Sequence, residues 1–496
     1  MTRIIPHYIG GKAIIEQAQP LWITNPANGQ NIALLYCGDE QIVDKAIQHA
    51  INSQAGWAAT PAIKRAKILR AFASLLEEKE DELAEIVTLE HGKTIADAKA
   101  SIQRGIEVVA YHCDIQHQLQ GTYSHHVSQQ VDTTTFYQPL GICAGISPFN
   151  FPVMVPLWMM IPAIACGNAF ILKPSEKTPS ASLKLIEWLE ESGLPPGIAQ
   201  CIQGDAQTVQ YLLNRSEIQA FTAVGSTKAA QHIYTEACKF GKRSATFGGA
   251  KNHAIVMPDA NLAHAADSII SAAYGSAGQR CMALAAVIAV GKLTAEQLIP
   301  LLIERIQSIK VGPGHIPNVD LGPVISQAQL TFLKDAIQQG VDEGATLLTD
   351  GRLLNLAQHE DGFFIGPSLF DNVTSKMSIY QKELFGPILS ILRMNSLEEA
   401  MACMNQHPYG NGAVIFTQHG YDAQQFIDKA QAGMIGINIP IPVPIVSHPF
   451  GGWKQSSFGS SPMHGLGSIY FYTRQKSVTI AWPQEQGHAN FDMPHH

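Results

Sequence analysis

Cys281 stands in a sequence environment that suits covalent chemistry. It follows Arg280 in Gly275-Ser-Ala-Gly-Gln-Arg-Cys-Met282, where small residues let the backbone and a ligand come close to the thiol. A fixed cation beside a thiol favours the thiolate, which is the nucleophilic form. The segment therefore predicts a reactive cysteine rather than one that only packs.

Asn150 is a candidate partner for this nucleophile. It lies in Pro148-Phe-Asn-Phe-Pro152, where two prolines restrict the backbone around the amide. An amide fixed in this way can donate a hydrogen bond to an oxyanion, although an asparagine that only stabilises a turn fits the same pattern.

Two further segments have residues that could bind a nucleotide. Gly225-Ser226 lies between a predicted strand and a predicted helix, where free backbone N–H groups can hold a phosphate, but a Gly-Ser pair in that place is more often only a helix cap. Lys173 and Glu176 follow an apolar strand, and their side chains suit ribose hydroxyls at the edge where parallel sheets bind ligands. A solvated loop is the alternative interpretation of the second segment.

The composition indicates a large globular protein that acts on small molecules. The 496 residues exceed one ordinary hydrophobic core, so we expect two or more lobes. The net charge of −8 is spread along the chain without a basic run, which argues against binding of nucleic acid or of a membrane surface. Eight cysteines lie far apart with no CxxC pair, which disfavours a zinc site and a disulfide framework and fits a reducing cytoplasm.

Three features could suggest other classes of protein. Residues 151–172 carry no charge, but prolines interrupt them, so a buried helix and strand explain the run better than a membrane span. The pairs His125-His126 and His495-His496 lack partners at ligand spacing, so we predict no metal site. The first residues lack the apolar core of a signal peptide, and we predict no export.

The predicted elements around these segments form two α/β lobes. From residue 137 onwards short β-rich runs alternate with helices, at residues 141–147, 169–173, 198–203 and 218–224. A second alternating series follows, at residues 254–256, 285–290, 384–392, 412–416 and 434–439. Such alternation predicts doubly wound parallel sheets.

Two kinds of element lie outside these series. A predicted helix at residues 95–113 carries its apolar residues on one stripe, which leaves Arg104 free to face a cleft. Residues 122–137 and 470–481 look like exposed β-ribbons, and unpaired edges of this kind usually pair with another subunit.

Together these segments resemble the aldehyde dehydrogenase superfamily. The motifs occur in the family's order over essentially the whole chain, as Pro148-Phe-Asn-Phe-Pro152, Leu172-Lys-Pro-Ser-Glu176, Gly225-Ser226, Gly278-Gln-Arg-Cys281, Glu383-Leu-Phe-Gly-Pro387 and Pro449-Phe-Gly-Gly452. The fold that the resemblance implies is α/β, with a Rossmann-type NAD-binding lobe at residues 1–121 and 139–248 and a catalytic lobe at 249–435. It further implies an oligomerisation ribbon at 122–138 and 468–484, a catalytic loop region at 436–467, and a homo-oligomer, either a dimer or a tetramer.

The resemblance also implies roles for individual residues. Cys281 would be the nucleophile and Asn150 the oxyanion donor. The cofactor would be NAD. The resemblance places Lys173 and Glu176 at the adenosine ribose, Ser226 with Gly225 at the pyrophosphate, and Glu383 and Phe385 at the nicotinamide half, and it also makes Phe149 a cofactor-binding residue.

One position departs from the hydrolytic members of the superfamily. Those members carry a glutamate general base in Glu-Leu-Gly-Gly-Lys, whereas this chain has Phe247-Gly-Gly-Ala-Lys251. Phenylalanine cannot accept a proton from water, so hydrolysis of a thioester loses its activator. A thiol needs less help because a few per cent of it is ionised at neutral pH. We therefore expect transfer of the acyl group to a thiol, with coenzyme A as the acceptor.

Within the superfamily the chain resembles in particular the CoA-acylating branch of methylmalonate-semialdehyde dehydrogenases. The matching segments are Gly249-Ala-Lys-Asn-His253, Ala277-Gly-Gln-Arg-Cys-Met-Ala-Leu284 and Gly436-Ile-Asn-Ile-Pro-Ile-Pro-Val-Pro444. The resemblance implies NAD-dependent oxidation of methylmalonate or malonate semialdehyde to propionyl-CoA or acetyl-CoA with loss of CO2, in valine and inositol catabolism. Arg104 and Arg280 would bind the substrate carboxylate, with surface ion pairs as the alternative. The rival functions are a hydrolytic NAD(P)-dependent aldehyde dehydrogenase and a non-catalytic relative.

Overall fold

The computed structural model describes residues 2–128 and 130–482. The strands are β1 (Arg3–Ile5), β2 (His7–Ile9), β3 (Lys12–Ile14), β4 (Pro20–Thr24), β5 (Asn31–Tyr36), β6 (Tyr123–Ser128), β7 (Val131–Pro139), β8 (Ile142–Ile146), β9 (Ala169–Lys173), β10 (Ala199–Cys201), β11 (Ile218–Val224), β12 (Arg243–Phe247), β13 (Asn252–Val256), β14 (Leu284–Val290), β15 (Thr346–Thr349), β16 (Ser368–Asp371), β17 (Ile388–Met394), β18 (Tyr409–Gly410), β19 (Gly412–Phe416), β20 (Met434–Ile437), β21 (Trp453–Lys454), β22 (Ser457–Phe458) and β23 (Thr473–Ala481).

The α-helices are α1 (Glu40–Ala59), α2 (Ala62–Glu78), α3 (Glu80–His91), α4 (Ile95–His112), α5 (Ile115–Gln118), α6 (Met154–Ala165), α7 (Pro179–Glu191), α8 (Ala206–Leu213), α9 (Thr227–Lys239), α10 (Leu262–Tyr274), α11 (Lys292–Ser308), α12 (Gln327–Asp342), α13 (Ser378–Gln381), α14 (Leu397–Gln406), α15 (Gly420–Lys429) and α16 (Gly465–Tyr472). The predicted alternation of strands and helices is confirmed, and with it the α/β fold class.

The parallel strands of the first large sheet all end at the same edge of the sheet. Its strand order is β22-β12-β11-β8-β9-β10-β2-β3, and the strands from β12 to β10 are parallel neighbours. Strands β8 and β9 are buried throughout, as their continuous apolar runs predict for strands covered on both faces. Ile146 pairs with Lys173, and Val224 pairs with Phe247, so the loops after four strands meet at the carboxyl edge.

The second large sheet supports the thiol. Its order is β15-β16-β17-β14-β13-β19-β20, and most of its pairs are parallel. A separate cluster of buried apolar side chains surrounds this sheet, distinct from the cluster around the first one. Cys281 immediately precedes β14, so the nucleophile candidate sits at the end of a central strand. The division into domains proposed from the sequence stays a prediction.

A three-stranded ribbon of order β23-β7-β6 extends from the two lobes. Strand β23 pairs with β7 along its whole length, from Thr473 with Pro139 to Ala481 with Val131. The sequence predicted a strand from residue 470, but α16 continues to Tyr472, whose side chain is buried. Residues 483–484 of the predicted ribbon lie outside the described residues, as do His495 and His496. Pairing with another subunit stays a prediction.

The uncharged run of residues 151–172 forms α6 and β9, and nearly all of its side chains are buried. Among the helices that the structure describes, none is long and apolar enough to cross a bilayer. The interpretation of this run as a buried helix followed by a buried strand is therefore confirmed.

Candidate active site

Cys281 follows a turn that only small residues can form. Ser276, Ala277 and Gly278 are all left-handed, with φ of 55, 53 and 69°. Gly278 has no room for a side chain, because a Cβ there would overlap the backbone carbonyl of Gly386. A left-handed residue other than glycine costs roughly 1–2 kcal/mol, so the contacts around the turn must hold it in place.

Two asparagines fix the backbone of Cys281. The Nδ2 of Asn252, in β13, donates to the Cys281 carbonyl at 2.9 Å and to the Ala283 carbonyl at 2.9 Å. The Nδ2 of Asn411 donates to the same Cys281 carbonyl at 3.0 Å. The second lobe therefore holds the nucleophile candidate through hydrogen bonds from two of its central strands or their ends.

Cys281 is half-buried. The sequence suggested a thiolate at this position, but the surroundings of the sulfur favour the neutral thiol. Burial raises the pKa of the thiol to about 12, and the negative charge of Glu383 acts in the same direction. The backbone N–H groups of Cys281 and Met282 and the cation of Arg280 lower the pKa by less. The neighbouring arginine alone does not produce a thiolate, because removal of the sulfur from water outweighs it.

Asn150 is held through its side-chain amide and through its backbone carbonyl. Its side-chain Nδ2 donates to the Gln279 backbone carbonyl at 2.9 Å, and its backbone carbonyl accepts from Lys93 Nζ at 2.8 Å. The Lys93 ammonium also lies 4.3 Å from the centre of the Phe151 ring. Asn150 and Cys281 line the same cavity, so the second amide hydrogen of Asn150 is available to an oxygen bound near the sulfur.

This cavity lies at the carboxyl edge of the first sheet and has a volume of about 410 Å³. All the residues predicted to contact a nucleotide line it, together with Cys281 and Asn150: Phe149, Lys173, Glu176, Gly225, Ser226, Glu383 and Phe385. Lys173 Nζ lies 3.3 Å from Glu176 Oε2. At the other end the rings of Phe149 and Phe385 meet edge to face at 5.8 Å. The structure thus brings this whole predicted set together.

Ser226 is both a helix cap and part of this cavity. Its side chain accepts from Ala229 N at 3.4 Å at the start of α9, as the interpretation of the Gly-Ser pair as a helix cap predicts. The other N–H groups of the first turn of α9 have no partner within the helix, and a helix N-terminus attracts anions. Capping and phosphate binding are therefore compatible at this turn.

Glu383 places a carboxylate near the thiol. Its Oε1 accepts from Ala250 N at 2.9 Å, and Glu383 lines two cavities that Cys281 also lines. Burial raises the pKa of Glu383 to about 7, although Ala250 N–H and the Lys251 ammonium oppose the shift. The absence of a glutamate at position 247 therefore does not leave the neighbourhood of the thiol without a carboxylate.

Phe247 occupies a different place from the thiol. It ends β12, is buried, and lines a small cavity that also contacts Trp158, Phe471 and Tyr472. Position 247, where hydrolytic members of the superfamily that the chain resembles carry a base, is here part of the apolar packing. No proton acceptor stands at it.

A second cavity, of about 220 Å³, reaches Cys281 from the other side. Its walls are mainly apolar, from Phe151, Met154, Trp158, Met282, Ile441, Val443 and Phe450. Arg104 and Arg280, both predicted to bind a carboxylate, line it as well. Arg104 Nη1 donates to Glu107 at 2.6 Å and its Nη2 to the Pro444 carbonyl at 2.9 Å. Both arginines thus face the thiol cavity while they also make ion pairs.

Sequence reasoning missed several residues that build this site. Asp97 accepts from Arg280 Nη2 at 2.6 Å and lies 3.9 Å from Lys93 Nζ. Asp97, Ser101 and Arg104 all line the 220 Å³ cavity, at the spacing of one face of α4. That polar spacing was visible in the sequence and could have identified Asp97. Nothing in the local sequence identified Asn252 and Asn411 as supports of the thiol.

The histidine pair at residues 125 and 126 has a partner that its spacing did not reveal. Asp132 lies opposite in the ribbon, and its Oδ1 is 2.8 Å from His125 Nδ1. The ligand atoms of His125, His126 and Asp132 lie within 4.8 Å of one another. All three are on the exposed ribbon, where such groups are common without an ion.

Comparisons with known proteins find matches over almost the whole chain. The model of the aldehyde dehydrogenase family matches residues 15–478. A malonate-semialdehyde dehydrogenase of Pseudomonas aeruginosa is 45% identical over 97% of this chain and 97% of its own length. A Sinorhizobium meliloti structure named as a methylmalonate-semialdehyde dehydrogenase complexed with NAD has a TM-score of 0.97 and 44% identity, covering 98% of this chain and 99% of that one. A methylmalonate-semialdehyde dehydrogenase of Oceanimonas doudoroffii has a TM-score of 0.96 and 43% identity, with the same coverage.

Proposed function

The chain belongs to the aldehyde dehydrogenase family, and we propose that it is an NAD-dependent, CoA-acylating dehydrogenase of malonate and methylmalonate semialdehydes. The observation that carries this proposal is the meeting of two cavities at one thiol. The cavity of 410 Å³ on one side has groups that suit a nucleotide, and the cavity of 220 Å³ on the other is apolar with two guanidinium groups. The names of the relatives support the same substrate class.

The residues of the larger cavity fit NAD. Lys173 and Glu176 offer a donor and an acceptor for ribose hydroxyls, and the start of α9 offers N–H groups for a pyrophosphate. The solved relative from Sinorhizobium meliloti holds NAD, which supports the same cofactor here. When bound, NAD would accept a hydride, and its cationic ring would favour the thiolate of Cys281.

The chain's own groups perform the first step. Once the Cys281 thiol has lost its proton, the thiolate adds to the aldehyde carbon, and the electron pair of the C=O double bond moves to the oxygen, which becomes an oxyanion. The Asn150 amide and the Cys281 backbone N–H would stabilise this oxyanion, and removal of one such donor typically costs 10²–10³ in rate. Lys93 and Gln279 hold Asn150 so that it needs little reorganisation. After hydride transfer Cys281 carries a thioester.

The guanidinium groups of Arg104 and Arg280 would bind the substrate's carboxylate. A planar fork of N–H donors matches a carboxylate better than an ammonium does. The carboxylate is attached to the carbon next to the thioester carbonyl. The bond between that carbon and the carboxylate carbon can therefore break. CO2 leaves, the electron pair passes to the thioester oxygen, and the carbon then takes a proton. The product held on Cys281 is an acetyl or propionyl group.

Coenzyme A would then remove the acyl group. Its sulfur adds to the thioester carbonyl, and the Cys281 thiolate leaves, so one thioester replaces another. The missing base at Phe247 supports this acceptor, because a thiol depends less on proton removal than water does.

Hydrolysis is the second candidate, and one observation favours it. Glu383 has a pKa of about 7 and lines the cavities at the thiol, so it could accept a proton from water in place of the missing base. The alternative product is a free carboxylic acid.

Product analysis tests the proposal. The purified protein is mixed with NAD and malonate semialdehyde, with and without coenzyme A, and acetyl-CoA, free acid, CO2 and NADH are quantified. We expect acetyl-CoA and CO2 in amounts equal to NADH, and turnover that depends on coenzyme A. Free acid formed at full rate without coenzyme A would establish the hydrolytic alternative instead.

A further inference from the structure

The guanidinium of Arg280 is held in one orientation. Its Nη2 donates to Asp97 Oδ1 at 2.6 Å. Within residues 2–128 and 130–482, Asp97 is the only hydrogen-bond acceptor that contacts this guanidinium. On another side the backbone of Gly275 lies against it, since a Cβ there would overlap Nη1. One of the five N–H donors of Arg280 is thus bound to Asp97, and the others have no hydrogen-bond acceptor among the residues that the structure describes.

Asp97 itself lies between two cations. Its Oδ2 is 3.9 Å from Lys93 Nζ, whose side chain is fully buried. Burial alone would raise the pKa of Asp97, but the charges of Lys93 and Arg280 and the hydrogen bond from Arg280 lower it to about 2. The carboxylate therefore stays ionised at any working pH. Burial lowers the pKa of Lys93 to about 8, so below that pH the three side chains together carry one positive charge and the cluster attracts an anion.

The ion pair of Asp97 and Arg280 forms a wall between two spaces. Together with Ala100, both residues line the 220 Å³ cavity at the thiol and also a neighbouring cavity of about 570 Å³. A guanidinium in such a wall can turn to either side.

We propose that Asp97 is a positioning residue that determines specificity for aldehydes that carry a carboxylate. By fixing Arg280 in the wall of the thiol cavity, it directs the unused N–H donors of the guanidinium towards the substrate's carboxylate. This inference rests on the proposed function, in which Arg280 binds that carboxylate. A substrate without a carboxylate, such as propanal, gains nothing from this arrangement.

Loss of Asp97 leaves the oxyanion donor in place. Lys93 Nζ donates to the Asn150 backbone carbonyl at 2.8 Å and lies 4.3 Å from the centre of the Phe151 ring, and neither contact involves Asp97. The chemistry at the thiol should therefore continue for an uncharged aldehyde. This separation makes the role of Asp97 measurable as a difference between two substrates.

The test compares kcat/KM for malonate semialdehyde and for propanal in Asp97→Ala and Asp97→Asn. Removing one partner of a hydrogen-bonded charge pair commonly costs 2–5 kcal/mol, so we expect Asp97→Ala to lower kcat/KM for malonate semialdehyde at least about 30-fold. For propanal we expect kcat/KM to change less than about threefold, because a substitution that leaves a reaction's own contacts intact usually has an effect of about 0.5 kcal/mol or less. Asp97→Asn keeps an oxygen acceptor for Nη2 and should retain most of the activity on both substrates.

Asp267→Ala is the matched control. Asp267 is also an aspartate paired with an arginine, Arg305, and it lines only the larger of the two cavities. It should leave both substrates unaffected. If Asp97→Ala does not fold, Asp97→Ser, which lacks the reach to Arg280, must show the same preference against the carboxylated substrate.

Two results would overturn the inference. Equal losses on both substrates would mean that Asp97 only supports the fold. Higher kcat/KM for malonate semialdehyde in both Asp97→Ala and Asp97→Asn would mean that its charge merely competes with the substrate. Arg280→Met separates this inference from the proposed function: if it discriminates between the substrates and Asp97→Ala does not, only the role of Asp97 fails. If Arg280→Met affects both equally, the carboxylate site itself is wrong.

Discussion

Replacement of Glu383 by glutamine decides how the acyl group leaves Cys281. The glutamine keeps an oxygen that can accept from Ala250 N, which bonds Glu383 Oε1 at 2.9 Å, but it cannot take a proton from water. With a pKa of about 7, the Glu383 carboxylate is ionised in roughly a tenth of the molecules at pH 6 and nine tenths at pH 8. General-base assistance contributes about 10²–10⁴ in rate. We therefore expect Glu383→Gln to slow release of free acid about 100-fold at pH 8 and about tenfold at pH 6.

The assay is a single turnover without coenzyme A. NADH formation reports how much thioester forms, and free acid is measured after quenching, so a slower hydride transfer does not disturb the comparison. Coenzyme A should restore product release in the variant, because a thiol depends less on a base than water does. Glu176→Gln is the matched control, since Glu176 lines the same nucleotide cavity and should alter NAD affinity only. Free acid made at the native rate by Glu383→Gln at pH 8 would refute the role of this carboxylate.

Two other changes test the substrate site and the electrostatics of the fold. Arg104→Lys removes the planar fork, and a lost hydrogen bond to a charged group is worth about 1.5–3 kcal/mol, so kcat/KM should fall about 10–100-fold for malonate semialdehyde and much less for propanal. Glu107→Gln, which removes only the 2.6 Å partner of Arg104, is the control, and equal losses on both aldehydes would exclude Arg104 from carboxylate binding. Glu90→Gln should raise thermal stability at pH 8 more than at pH 5. Burial raises the pKa of Glu90 from 4.5 to about 7, so the unfolded chain loses its proton first and the native protein loses up to about 3 kcal/mol as pH rises between these values. If Glu90→Gln raised the midpoint temperature of thermal unfolding equally at pH 5 and pH 8, this explanation would be contradicted.

Strands that are buried along their whole length were predictable at their true bounds. Residues 169–173, 218–224 and 412–416 are apolar runs between glycine, proline or polar residues, and they form β9, β11 and β19 with those limits. Burial makes most positions of such runs apolar, and the polar or flexible residues that flank them mark their ends. The short strands β1 to β5 carry no such signal, and the sequence interpretation did not identify them.

Two elements show how tertiary contacts override local pattern. Residues 470–472 are aromatic and were read as strand, yet they end α16, where Phe471 and Tyr472 are buried and Tyr472 bonds Thr222 at 2.6 Å. Residues 384–387 were also assigned to a strand, but Phe385 has φ of 53° and β17 begins only at Ile388. In both places long-range packing or a functional loop decides the conformation, and neither is visible in propensity.

The candidate site was predictable residue by residue but not contact by contact. The motifs marked Cys281, Asn150 and the residues of the nucleotide cavity, and the structure brings all of these together. The ion pair of Asp97 with Arg280 joins segments far apart in the chain, so only the fold reveals it. The same is true of the charge state of Cys281, because the effect of burial on a thiol depends on every atom packed around it.

The high pKa of Cys281 leads to a prediction about the order of events at the thiol. At a pKa of about 12, roughly one sulfur in 10⁴ is ionised at pH 8, so the protein without nucleotide should react slowly with iodoacetamide at this residue. NAD should accelerate the reaction, since it brings a positive charge to the side of the thiol where Glu383 now contributes a negative one. The exposed Cys238 is an internal control whose alkylation should not respond to NAD. The rates can be followed by mass spectrometry of the two peptides between pH 6 and pH 9. Rapid alkylation of Cys281 at pH 7 without NAD would mean that Arg280 outweighs burial after all, and that the nucleophile is formed before the cofactor arrives.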